Sequence, residues 1–210
     1  MCGIIGYVGP NEAYPILLGG LGRLEYRGYD SAGVATIADS GKLEIRRAKG
    51  KLENLRHLLA DSPLRGHIGI GHTRWATHGR PSEENAHPHK AGPVAVIHNG
   101  IVENFVELRA ELLARGHKLS SETDTELISH LIEEKLKGGL GLTEAVREAV
   151  LRIRGSFSIV VLSETDPGKL VAAKTATPLV LGLGDGENFI ASDIPAILEH
   201  TRSAMVLEDG

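Results

Sequence analysis

Cys2-Gly3-Ile4-Ile5-Gly6-Tyr7-Val8 stands directly behind the initiator Met1. Its apolar residues do not alternate with polar ones, so as a strand it offers hydrophobic surface on both faces, and both faces must be covered. Phe157 to Leu162 poses the same demand. Helical stripes lie elsewhere. Leu52 to Leu59 reads as a short helix, and Phe105, Leu108, Leu112 and Leu113 fall on one face behind an Asn104 cap. Leu127, Ile128, Leu131 and Ile132 form a second stripe, with Thr123 and Glu126 at capping-box spacing. Ala145, Val146, Ala149, Val150 and Ile153 form a third. Sheets packed face to face and flanked outside by these helices satisfy every stretch. The expected class is α+β, a four-layer αββα sandwich.

The remaining segments fit that plan. Pro15 suits the first turn of a helix running to about Arg23. Val34 to Ala38 and Leu43 to Ala48 read as a hairpin turning at Asp39-Ser40-Gly41. Further strands are Ile68 to Thr73, Val94 to His98, Leu170 to Ala173, Leu179 to Leu183 and Phe189 to Ala191, with the chain end at Met205 to Gly210 just after another. Between Arg74 and Pro93 lie twenty residues without periodicity, more often functional than not. No repeat or linker interrupts residues 1–210, so a single domain is expected.

Composition narrows the functional classes. The 210 residues are 41% hydrophobic, enough for a real core, and carry a net charge of −4. That charge gives no footprint for nucleic acid or an anionic membrane. A single cysteine excludes an internal disulfide and fits a reducing cytosol. No apolar run reaches the ~20 residues of a membrane span, and no basic-then-apolar leader opens the chain. A cytoplasmic protein without nucleic-acid or membrane partners is expected.

The lone cysteine, Cys2, is then the feature to weigh. A thiol needs a base to become a nucleophile. Removal of Met1 would give Cys2 a free α-amine with a reference pKa of about 8, placing nucleophile and base on one residue. The plainer reading is a small hydrophobe opening a strand. Three polar clusters accompany it. In His72 to Gly79, Arg74 offers a planar fork for a carboxylate, and Trp75 a wall against water. Asn99 and Gly100 could jointly face an anionic oxygen, although Asn-Gly is also a common turn pair. Asp124, in Ser121 to Glu126, could hold an ammonium group or merely suit a helix's first turn. His72, His78, His87, His89 and His98 crowd one region. His87-Pro88-His89 has paired-ligand spacing, but no carboxylate stands beside it at a zinc-motif spacing. We expect these rings to order the polar loop and to hold no metal.

These motifs identify a resemblance. Cys2 to Gly6, Leu24 to Gly33, His72 to Gly79, Asn85 to His89, His98 to Ile101 and Ser121 to Glu126 are similar, in order, to the glutaminase domain (type 2 glutamine amidotransferase) of the glutamine:fructose-6-phosphate amidotransferases, or glucosamine-6-phosphate synthases. The likeness continues through Gly182-Leu183-Gly184 and Glu187 to Asp193 and covers essentially the whole chain. Amidophosphoribosyltransferases are the nearest alternative. They usually carry His and Gln where this chain has Tyr26 and Tyr29, and Val-Arg-Tyr-Ser-Thr-Ala against its Thr73 to His78.

The resemblance implies the N-terminal-nucleophile (Ntn) hydrolase fold and the hydrolysis of L-glutamine to glutamate and ammonia, without cofactor. It makes Cys2 the nucleophile, assisted by its own α-amine, with Asn99 and Gly100 stabilising the oxyanion. Arg74 would bind the substrate α-carboxylate and Asp124 its α-ammonium. Trp75, Thr77 and His78 would lie on a closing loop, and Arg27 would order the nucleophile, with His87 and His98 in supporting positions. Partners implied for the full-length enzyme are a C-terminal sugar-isomerase domain, which nothing in these residues resembles, and a second copy in a homodimer. A glutamine-binding module without turnover is a further alternative, since it would keep Arg74 and Asp124.

Overall fold

A computed structural model describes residues 2–76 and 79–210 of the chain. Among these residues are five α-helices, two single-turn 3-10 helices and eleven strands, the strands forming two antiparallel sheets. One sheet takes its centre from β1 (Gly3–Val8) and β4 (Ile68–Arg74). Beyond β4 lie β2 (Ser31–Ile37) and β3 (Leu43–Lys49); beyond β1 lie β10 (Asn188–Ala191), β9 (Val180–Leu183) and β11 (Ala204–Val206). The second sheet runs β5 (His89–Ala91), β6 (Val94–Gly100), β7 (Phe157–Ser163), β8 (Val171–Thr175).

Strand alternation sorts the hydrophobic residues into three cores. From β1, Ile5 and Tyr7 join α1 (Ala13–Leu24) and α2 (Leu52–Asp61), while Ile4 points the other way. From β6, Val94 and Val96 join α4 (Thr125–Lys137) and α5 (Leu142–Val150), with Leu108 and Leu112 of α3 (Phe105–Ala114). Ala95 and Ile97 face inward to meet Ile4, Ile68 and Ile70 across the inter-sheet layer. The order is therefore helices, sheet, sheet, helices, the αββα sandwich expected from strands apolar on both faces. Ile4 is wholly buried at the centre, where truncation to alanine would cost about 2–5 kcal/mol.

Several local readings need correction. The stretch from Arg74 to Pro93 contains β5, whose His89 and Ala91 are buried while Lys90 is exposed. Asn99-Gly100 is no turn: the pair ends β6, in register with Ser158 and Phe157. Asn104 precedes α3 without a side-chain cap, because its amide bridges Arg152 O (2.9 Å) and Arg154 N (2.9 Å). Leu113 is 47% exposed and leaves the stripe. Glu126 makes no capping box with Thr123; its carboxylate accepts from the backbone N–H groups of Ser120 (2.8 Å) and Ser121 (2.7 Å). Ile153 is buried, yet it lies beyond the end of α5.

Candidate active site

The polar clusters collect where β1 begins and where β4 and β6 end. Because β1 and β4 are antiparallel with Gly3 opposite Thr73, the start of β1 and the end of β4 share an edge. Cys2 and Arg74 therefore become neighbours. The end of β6 brings Asn99 and Gly100 from the other sheet, and the start of α4 brings Asp124 and Thr125. Cys2, Arg74, Trp75, His87, His98, Gly100, Thr123, Asp124 and Thr125 line a cavity of about 40 Å³, room for a few waters.

Cys2 is held at both ends. Its Sγ accepts from Trp75 N–H at 3.2 Å. Its carbonyl accepts from Asn99 Nδ2 (3.0 Å) and from Arg27 Nε (3.1 Å). Burial pushes the thiol pKa up, opposed by the Trp75 N–H and by the charges of Arg74 and Arg27. Left alone, this thiol stays protonated and needs a base. Arg27 is itself fixed by Asp193, at 3.0 Å from its carboxylate. Arg74 is buried and donates to Gly79 O at 3.1 Å. Burial lowers its pKa, and the charges of Cys2, Asp30, Asp124 and Glu122 oppose that fall.

Two glycines are required by close approach. A side chain on Gly28 would strike the Arg74–Trp75 peptide at 2.7–2.8 Å. Gly100 has φ of +134°, and a Cβ there would meet Ser156 O at 2.0 Å. Trp75 is 46% exposed and packs edge-on against Tyr29, ring centres 5.6 Å apart.

Behind the cavity the histidines form a column. His72 stacks on His87 (4.1 Å), and His87 meets His89 edge-on (4.9 Å). Burial drives the pKa of His72 and of His89 down to about 3, and lowers that of His87 well below its usual value. Burial also lowers His98, opposed by Asp124, whose carboxylate lies 3.7 Å from His98 Nδ1. Hydroxyls at and just before the start of α4 hold the column: Thr123 Oγ1 lies 2.9 Å from His89 Nε2, and Thr125 Oγ1 lies 3.0 Å from His98 Nδ1 and 3.2 Å from His87 Nε2.

Neutral His72 must carry its proton on Nε2, which lies 3.1 Å from both His98 O and Asn99 Oδ1, two acceptors. That bond fixes the Asn99 amide with its oxygen toward His72 and its Nδ2 toward Cys2. Sequence reasoning gave His72 no individual place in the site, nor Asp30, whose Oδ2 accepts from Ala76 N–H (2.8 Å), nor Asp193. All three sit inside the quoted motifs, and their polarity there was the available signal. Arg27, Asn99, Arg74, Trp75, Gly100, Asp124, His87 and His98 do gather around Cys2. The expectations for Thr77 and His78 lie outside the described residues.

Residues 72–199 match the glutamine amidotransferase domain family GATase_7. The chain belongs to this family. Among curated relatives, glutamine–fructose-6-phosphate aminotransferase [isomerizing] of Symbiobacterium thermophilum is 55% identical, and that of Pyrococcus horikoshii 54%. Both alignments cover the whole chain but only 34% and 35% of the relatives, so the chain spans about a third of their length. The glutamine PRPP amidotransferase of B. subtilis superposes with a TM-score of 0.83 at 26% identity, over 99% of this chain and 47% of that one. A glutamine aminotransferase class-II domain protein of Silicibacter pomeroyi shares the fold, with a TM-score of 0.65 at 18% identity over 100% of this chain and 92% of its own. The fold of these glutamine amidotransferases is the Ntn type. Among the described residues, no helix is long and apolar enough to cross a membrane.

Proposed function

We propose that this chain hydrolyses L-glutamine to glutamate and ammonia with Cys2 as nucleophile, after removal of Met1. The observation that carries the reading is the convergence of four polar side chains on Cys2: Arg74 and Asp124 on the cavity wall, Asn99 and Arg27 on its carbonyl. The freed α-amine takes the Sγ proton and the sulfur adds to the side-chain carbonyl. Charge develops on that oxygen, toward the second Asn99 Nδ2 hydrogen and the Gly100 N–H. The amine's proton then leaves with ammonia, and water cleaves the γ-glutamyl thioester to glutamate and free thiol. Arg74 takes the substrate α-carboxylate and Asp124 its α-ammonium, a pairing of opposite charges at both ends of the amino acid. Trp75 shields the substrate from water, and His72, His87, His98 and Arg27 hold the reacting groups in place.

The 210 residues act as a single glutaminase domain. In a longer protein the ammonia would aminate fructose 6-phosphate to glucosamine 6-phosphate, a step that needs a sugar-isomerase domain; such an enzyme would be a cytoplasmic homodimer. Support comes from the names of the 54–55% identical relatives. Incubation of the processed chain with glutamine tests the reading: glutamate and ammonia should appear in equal amounts. Glutamine binding without release would instead favour a non-catalytic binding module. Arg74→Ala should weaken glutamine binding by about 1.5–3 kcal/mol, the value of a charge-assisted bond, with the fold intact. Unchanged affinity would remove Arg74 from the carboxylate role.

A further inference from the structure

About one and a half turns along α4 from the cavity, a second histidine cluster has a different neighbourhood. His117, in the connection after α3, meets His130 and Glu133 of α4, each with only about a tenth of its side chain exposed (12%, 11% and 10%). His117 Nδ1 lies 2.9 Å from His130 Nδ1 and 4.0 Å from Glu133 Oε2, and His130 Nδ1 lies 3.7 Å from the same oxygen. Three atoms at those separations share a point about 2.1 Å from each, the length of zinc–imidazole and zinc–carboxylate bonds.

The surrounding groups orient the donors toward that point. Glu134 Oε1 lies 2.9 Å from His117 Nε2, and a ring nitrogen beside a carboxylate carries the proton. The His117 lone pair is then on Nδ1, facing His130. Arg115 holds the other Glu134 oxygen at 2.8 Å, and Lys137 holds Glu133 Oε1 at 2.9 Å, leaving Oε2 inward. The proton between the two Nδ1 atoms belongs to His130. Moving it to His130 Nε2, which faces Glu126 Oε1 at 4.0 Å, frees both lone pairs.

We propose that His117, His130 and Glu133 form a binding site for a divalent transition metal of the zinc class, with a fourth position open to water. Two imidazoles and one carboxylate select such an ion over magnesium or calcium, which take all-oxygen sites. The ion would pin the α3–α4 connection to α4. Glu126, beside His130, also holds the Ser120 and Ser121 N–H groups that lead to Asp124, so a bound ion would stiffen that approach. The site is independent of the glutaminase reading and departs from the expectation of no metal.

The test uses the full chain with Cys2→Ala, to remove the thiol, after chelator stripping. Zinc is titrated calorimetrically and Co²⁺ by visible absorption. One ion per chain should bind, with the Co²⁺ spectrum of a nitrogen–oxygen site and a raised thermal midpoint. His117→Ala, His130→Ala and the shape-conserving Glu133→Gln should each abolish stoichiometric binding, with circular dichroism confirming the metal-free fold. Glu134→Gln should weaken zinc about 10–100-fold. No stoichiometric ion, equal affinity for Mg²⁺, or unchanged zinc affinity in folded Glu133→Gln would overturn the proposal.

Discussion

The protein has two buried histidine clusters along α4, and they differ in what surrounds the rings. In the column behind Cys2, His72, His87 and His89 touch hydroxyls, a side-chain amide and one another. In the other cluster, His117 and His130 stand against Glu133 and Glu134. Burial forces the rings of the column neutral, and a neutral imidazole is a directed donor at one nitrogen and an acceptor at the other. Beside a carboxylate a ring nitrogen keeps its proton, so Glu134 holds His117 Nε2 protonated and turns its Nδ1 lone pair toward His130 and Glu133. His98 stands between the two cases, bonded to Thr125 yet close to Asp124. Partner chemistry, more than burial, separates an orienting histidine from a ligating one.

That contrast can be broken most severely at the residue the column orients. Asn99→Ala should lower glutamine turnover by about 10²–10³-fold while leaving substrate binding nearly intact, the usual cost of one lost oxyanion donor. An unchanged turnover number would remove Asn99 from that role. His72→Leu leaves Asn99 Oδ1 without its donor, a penalty of about 1–3 kcal/mol, so turnover should fall by about 10–100-fold at constant KM. His72→Gln, which can still donate, should recover much of the loss. Equal rates in both variants would reduce His72 to packing.

The smallest expected effect sharpens the contrast through acid stability. His72 and His89 have native pKa values of about 3, below the ordinary value near 6.5 of an unfolded chain. Between those limits the unfolded state binds the extra protons, so stability rises with pH up to about 6.5 and is lost as pH falls below it. Each histidine contributes a slope of about 1.4 kcal/mol per pH unit. Denaturant unfolding of His89→Gln across this range should show a slope lower by about one proton. The same slope as the parent would mean that His89 does not enter the fold neutral.

Much of the architecture was legible because strand burial is written into side-chain order. Ile4 and Ile5 in β1, or Ala95 and Val96 in β6, need cover on opposite faces, which only stacked sheets with outer helices supply. Caps were less legible, since Asn104 and Glu126 each had two chemically equivalent uses and long-range partners decided between them. Strand β5 has three residues and too little sequence to show a period. At the site, the motifs named residues that the fold brings together around Cys2. The orientation of Asn99 by His72 could not be read, because it depends on a contact between the two sheets. The metal cluster escaped for a similar reason: His117 lies thirteen residues from His130 and belongs to a different segment.

If the α-amine of Cys2 is the base for its own sulfur, activity depends on its release from Met1. Samples with graded removal of Met1 by a methionine aminopeptidase, each assigned its Cys2-terminated fraction by intact mass, should be assayed for glutamate release. The rate should be proportional to that fraction, extrapolating to zero for the Met1-bearing chain. Turnover by the Met1-bearing chain equal to that of the processed one would contradict it.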